Sequence, residues 1–225
     1  LGEYSALAAA GTFSLSDTAR LLRIRGKAMQ AATPVGVGAM AAILGLDFAD
    51  VAAVTREAAQ GDVCQAANDN SSGQVVISGH KAAVDRACEL AKARGAKRAV
   101  LLPVSAPFHC ALMQPAADAM AEALLNVAMN APSVPLIANV VAVPISDPAE
   151  IRKRLVEQVT GTVRWRECVG FMAGQGVNLF CEVGTGKVLT GLLKKNAPEA
   201  QGLALATPDD IAAAAIILKQ GQVDV

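Results

Sequence analysis

Apolar positions along the chain recur first at helical spacing and then at strand and helical spacing in alternation. Residues 3–10 predict a short small-residue helix, and Ser14-Leu15-Ser16-Asp17 has the form of a capping box opening a second helix to about residue 32, where Thr33-Pro34 stops it. On that helix Leu21, Leu22, Ala28 and Met29 form one stripe, opposite Arg20, Arg23, Lys27 and Gln30. From Gly36 the period changes. The pattern predicts a strand-like apolar run over 38–44, a helix over 47–60, strands over 63–67 and 74–78, a helix over 81–94 and a strand over 98–104. That order, βαββαβ, is the ferredoxin-like arrangement, with the turn formers Asn68-Asp69-Asn70-Ser71-Ser72-Gly73 between its middle strands. Residues 36–104 are therefore expected to be a small domain inserted into a larger one built from 1–35 and 105–225.

Beyond it the pattern predicts a loop over 105–109, a long helix over 112–129, a strand over 136–141, helices over 147–158 and 165–175, a strand over 178–183 and further helical segments. Alternating strands and helices of this length predict an α/β fold with a mostly parallel sheet.

Composition narrows the function classes. The 225 residues are 53% hydrophobic and 18% charged, enough to bury one sizeable core or two modest ones. Twenty basic and twenty acidic residues cancel, so no global field draws the chain to nucleic acid or to an anionic membrane, and neither is expected as a partner. Five cysteines without C-x-x-C spacing argue against a disulfide framework and against a zinc site, and fit a reducing cytoplasm. The apolar runs are short and broken, so no membrane span is expected.

Few residues are candidates for chemistry. Leu1-Gly2 reads as the end of G-x-S-x-G, the elbow that exposes a nucleophilic serine, with the serine expected immediately before Leu1. His109 falls in Ser105-Ala106-Pro107-Phe108-His109-Cys110, between a predicted strand and a predicted helix, where open α/β sheets place catalytic groups. It is either a neutral proton acceptor or a hydrogen-bonded structural histidine. His80, at another strand–helix junction, fits an exposed turn residue better. Arg25 falls on the apolar stripe of its helix, where a guanidinium requires a carboxylate or phosphate from the protein or from a substrate. Gly36-Val37-Gly38-Ala39-Met40-Ala41 fits G-x-G-x-x-A but lacks the preceding strand and following helix of a dinucleotide site. Gly184-Thr185-Gly186-Lys187 is no P-loop, since Cys181 and Val188 occupy the first-glycine and Ser/Thr positions; it is a strand-to-helix turn whose amides either face an active-site mouth or serve geometry alone.

In combination the segments resemble the malonyl-CoA:acyl carrier protein transacylases, and the likeness runs essentially from Leu1 to the C-terminus. It is carried by Leu1-Gly2-Glu3-Tyr4-Ser5-Ala6, by Arg23-Ile24-Arg25-Gly26-Lys27-Ala28-Met29-Gln30, by the stretches 70–80 and 107–113, and by the turn over 182–192. Thr185 stands where that family often has proline. The resemblance implies a hydrolase-like, mostly parallel large domain interrupted by the ferredoxin-like small one. It also implies ping-pong malonyl transfer from coenzyme A to the pantetheine thiol of acyl carrier protein through a malonyl-serine. His109 would be the base and Gln158 would orient it through its backbone carbonyl. The Leu1 N–H would be one oxyanion donor, and a glutamine N-terminal to these residues the other. Arg25 would pair with the malonyl carboxylate, and Met29 and Phe108 would line the acyl site. Lys187, Lys194, Lys195, Arg164 and Arg166 are candidates for meeting phosphates or an acidic carrier. A cytoplasmic monomer with no metal and no cofactor beyond the thioester substrate is expected. A serine hydrolase or thioesterase on the same elbow, an acyltransferase domain of a polyketide or fatty-acid synthase, and a non-catalytic remnant remain as alternatives.

Overall fold

The computed structural model describes residues 1–220; the final residues of the expected large domain, 221–225, lie outside them. The chain is a mixed α/β protein that forms two compact units, Leu1–Cys168 and Val169–Val225.

The first unit opens with α1 (Gly2–Ala9) and α2 (Leu15–Ala31). Ser14 caps α2 as the sequence predicts: its Oγ accepts from the Asp17 N–H at 3.0 Å and donates to the Asp17 carboxylate at 2.6 Å. Then follow β1 (Gly38–Leu44), α3 (Phe48–Ala59), β2 (Cys64–Ser71), β3 (Gln74–His80), α4 (Lys81–Ala93) and β4 (Arg98–Leu101). All their pairings are antiparallel, in the order β2-β3-β1-β4. Strand β2 runs longer than its apolar pattern, because the polar residues Asn68 to Ser71 stay paired with β3 and the turn shrinks to Ser72-Gly73, where Gly73 takes φ +68°. The pairing slips between Ala66 and Asn68 and again between Asp69 and Ser71, so β2 is bulged along its length.

After β4 a short 3-10 turn (Ala111–Met113) leads into α5 (Gln114–Leu125), which ends earlier than predicted. The antiparallel pair β5 (Leu136–Ala138) and β6 (Val143–Ile145) follows, closed by a turn in which Ala142 takes φ +55°. Its second strand is invisible in the pattern, being three residues long with a central proline. Helix α6 (Pro148–Thr160) is capped by the Asp147 carboxylate, and α7 (Trp165–Gly174) crosses into the second unit.

Two main cores fill the first unit. One joins Leu7, Leu21, Met29, Met113, Met120, Leu124, Ile151 and Leu155 from α1, α2, α5 and α6. The other packs Ile43, Val75 and Ile77 of the sheet against Val51, Val54, Val84 and Ala87 of α3 and α4. Phe108 packs against the first core and also against a small cluster of Met40, Ala67 and Val76 on the sheet's other face, so the loop that carries it is gripped from both sides.

In the second unit β7 (Leu179–Val183) pairs in parallel with β8 (Gln201–Leu205), and α8 (Val188–Asn196) and α9 (Pro208–Gln220) complete it. Gln201-Gly202-Leu203-Ala204-Leu205 has little β-branching, which hides β8 among the predicted helical segments. No helix among the described residues is long and apolar enough to cross a membrane.

Met120 is fully buried in the helical core. Met120→Ala is expected to cost about 2–5 kcal/mol of stability, read as a lowered urea midpoint with the slope unchanged.

Candidate active site

His109 sits in a turn that the rest of the fold forces into shape. It takes φ +58°, a left-handed conformation that costs a non-glycine residue on the order of 1 kcal/mol or more unless its surroundings impose it. Pro107 lies directly over Gly38, where an added Cβ would fall 2.3 Å from the proline ring, and the Cys110 thiol donates back to the Pro107 carbonyl at 3.2 Å. Gly38 thus serves close packing at the start of β1, while Gly36 takes φ +87° in the turn before it, in agreement with the rejection of this segment as a dinucleotide motif.

The imidazole Nδ1 lies 3.1 Å from the backbone carbonyl oxygen of Gln158, near the end of α6. A carbonyl accepts only, so Nδ1 carries the hydrogen and Nε2 is left with the lone pair. The Gln158 side-chain amide is also 3.4 Å from Nδ1, but as a donor it is matched instead to the Gly161 carbonyl at 3.3 Å. Burial, opposed by the hydrogen bond to the Gln158 carbonyl and aided by the positive charge of Arg25, lowers the His109 pKa to about 4. The ring is therefore neutral at physiological pH, with the tautomer of a proton acceptor.

Arg25 projects from the half-buried stripe of α2. Among the described residues no carboxylate forms an ion pair with it; burial lowers its pKa, and nearby Glu3 opposes that shift only at a distance, through its charge. Glu3 is a poor partner, because burial raises its carboxyl to about 7 and its Oε1 already accepts the Asn139 N–H at 3.3 Å. Of the two partners that the sequence left open for this guanidinium, an internal carboxylate is not found among the described residues.

Glu3 itself was not singled out from the sequence. The signal was present: it stands four residues before buried Leu7 and next to buried Tyr4, a carboxylate on the inner face of α1.

The other candidates scatter. Leu1 caps α1, its carbonyl accepting from the Tyr4 and Ser5 amides. Met29, one turn beyond Arg25, is buried in the helical core. His80 accepts the Val63 N–H at 2.9 Å and caps α4, a structural role. In the second unit, the Glu182 carboxylate accepts the Leu189 and Thr190 N–H groups at 3.1 and 2.7 Å and so caps the first turn of α8. Arg164 pairs with Glu167, and Arg166 pairs with Asp69. These two arginines are engaged within the protein, which removes them as ready phosphate contacts. No group of His, Cys, Asp or Glu among the described residues is arranged to hold a metal.

A family model described as "Acyl transferase domain" matches residues 1–217. The chain belongs to this acyl transferase family. It is 52% identical over 214 residues to the malonyl CoA-acyl carrier protein transacylase of Escherichia coli (strain K12), covering 95% of this chain and 69% of that protein. The acyl-carrier-protein-S-malonyltransferase of Bartonella henselae has the same fold at a TM-score of 0.93 and 59% identity, over 97% of this chain and 69% of that one. A malonyl-transacylase solved in complex with its type II PKS acyl carrier protein matches at a TM-score of 0.90 and 45% identity, over 94% of this chain and 69% of that one.

The electrostatics of the acyl transferase make two predictions. The His109 ring, followed by ¹⁵N NMR, is expected to titrate near 4; a midpoint at the ordinary 6.5 would contradict its burial. Because the unfolded ring takes up its proton first, this residue's contribution to stability declines as pH falls from 6.5 toward 4. Glu3 has the opposite sign. Its neutral form is favoured in the fold, so its contribution declines as pH rises from 4.5 to about 7, and Glu3→Gln is expected to flatten that part of the stability profile in urea titrations at several pH values.

Proposed function

We propose that this acyl transferase moves a malonyl group from coenzyme A to the phosphopantetheine thiol of acyl carrier protein in fatty-acid biosynthesis. The observation that carries the reading is the combination of a neutral, Nδ1-protonated His109 with a half-buried Arg25 that no carboxylate among the described residues pairs with. A base and an unmatched cation in one electrostatic neighbourhood suit an acyl group that bears its own negative charge. The names of the relatives support the same substrate, and the complex among the solved structures supports the same partner.

The reaction runs in two halves. A serine immediately ahead of Leu1, completing G-x-S-x-G, attacks the thioester carbonyl while His109 Nε2 takes its proton, a general-base contribution of about 10²- to 10⁴-fold. Negative charge on the carbonyl oxygen meets the Leu1 N–H and a second donor from a glutamine N-terminal to these residues, each donor worth about 10²- to 10³-fold. The tetrahedral intermediate collapses, the carbon–sulfur bond breaks, and the imidazolium returns the proton to the coenzyme A thiolate. The carrier thiol then repeats the sequence on the acyl-serine. The Gln158 carbonyl holds the ring through Nδ1 and stabilises the imidazolium formed in each half. Arg25 pairs with the malonyl carboxylate, while Phe108 and Met29 bound the acyl site.

The architecture belongs to the same proposal: residues 36–104 form a ferredoxin-like domain inserted in a hydrolase-like one made of 1–35 and 105–225. The βαββαβ order and the strand order β2-β3-β1-β4 support the first half. The enzyme is taken to work as a cytoplasmic monomer without a cofactor.

Arg25→Ala is expected to lose most of the preference for malonyl-CoA over acetyl-CoA while keeping acyl transfer to carrier protein; an unchanged ratio of kcat/KM values would remove the carboxylate role. His109→Ala is expected to slow formation of the malonyl adduct, followed by intact-protein mass spectrometry, by about 10²- to 10⁴-fold with the fold preserved.

A further inference from the structure

Strand β2 is an edge strand of its sheet, yet its outer edge is not free. It grips both segments that meet in the His109–Gln158 hydrogen bond. On the histidine side, Gln65 Oε1 accepts the Ala111 N–H at 2.6 Å. On the glutamine side, residues 162–166, which continue from α6, lie along β2 as a short parallel bridge. Thr162 Oγ1 donates to the Ala66 carbonyl at 2.8 Å, the Val163 N–H to the Ala67 carbonyl at 2.8 Å, and the Asp69 N–H to the Val163 carbonyl at 2.8 Å. The bulges of β2 turn these groups outward and away from β3.

One charged pair closes this bracket. Asp69 is 2% exposed, and its carboxylate takes the Arg166 guanidinium at two points, with Nε at 3.1 and 3.0 Å from its two oxygens and Nη2 at 2.8 Å. A planar fork on a buried carboxylate fixes orientation as well as distance, which backbone bonds of a single short bridge do not. Burying the Asp69 carboxylate is costly, and ion pairs with a buried member are often no better for stability than well-packed apolar residues of similar size. Its value therefore lies in geometry.

We propose that Asp69 and Arg166 are positioning residues for the reaction: by locking residues 162–166 onto β2 they fix the Gln158 carbonyl against His109 Nδ1 and so keep Nε2 as the proton acceptor. This rests on the reading of His109 as the base. The pair touches neither substrate nor reacting atoms and acts only through the backbone that follows Gln158.

The test replaces both partners, Asp69→Leu with Arg166→Leu, so that no buried charge is orphaned, and reads two quantities in the full chain. The first is the ¹⁵N signature of the His109 ring, one of two histidines in the sequence. The Nε2–H tautomer is expected to gain population. The second is malonyl transfer, where kcat is expected to fall about 10- to 100-fold with KM for malonyl-CoA little changed. The thermal midpoint should stay near that of the parent. Wild-type tautomer population and wild-type kcat in the folded double variant would overturn the proposal. Should the double variant not fold, Arg166→Lys, which keeps the charge but loses the two-point fork, decides by the same readings, with a partial shift expected. The ring signature is independent of which acyl group is carried. A tautomer shift in a protein that transfers no malonyl group would support the bracket and reject the substrate.

Discussion

The hydrogen bond from His109 Nδ1 to the Gln158 carbonyl is where the separate parts of the first unit become one site. The histidine arrives on the loop that leaves β4, the carbonyl arrives at the end of α6, and nothing local to either segment specifies the other. Each must be held from outside. Phe108 wedges the histidine loop between the helical core and the sheet, Pro107 stacks on Gly38, and β2 reaches out to both Ala111 and residues 162–166. A backbone carbonyl in this role has a physical advantage over a carboxylate. It fixes the tautomer without adding a charge, so the buried ring stays neutral and its Nε2 keeps a lone pair that can accept a proton.

Arg25 poses the complementary problem. A buried base tolerates no permanent counter-charge of its own, yet a guanidinium lies close enough to depress its pKa. No carboxylate among the described residues pairs with that guanidinium, and Glu3 is driven toward its neutral form by the same burial that would otherwise make it a strong partner.

Much of this was legible in the order of residues. Helix starts and stops follow from Ser14 and Thr33-Pro34, β1 occupies the residues that its apolar run marks, and the βαββαβ order emerges from a change of period at Gly36. Arg25 announces itself by falling on the wrong face of an amphipathic helix, and His109 by standing in a proline turn between strand and helix. These are local signals, set by side-chain sterics, capping and burial within a few residues. Where local signals are weak the reading fails: β6 is too short and proline-broken to show a period, β8 lacks β-branched residues, and the polar end of β2 looks like a turn.

Gln158 had no local mark at all. It entered through likeness to a family, since a backbone carbonyl is a function that any residue type supplies, and which carbonyl faces the imidazole depends on where α6 ends in space. The same holds for Asp69 and Arg166. In the sequence Asp69 is one more turn former and Arg166 one more surface cation; in the fold a buried Asp69 carboxylate takes the fork of a half-exposed Arg166 that lies 97 residues further along the chain. The order of residues set the elements and marked out two unusual side chains through local forces. Long-range pairing then chose the partners, because hydrogen-bond direction and the burial of charge are properties of positions brought together in space and leave no imprint on neighbours in the chain.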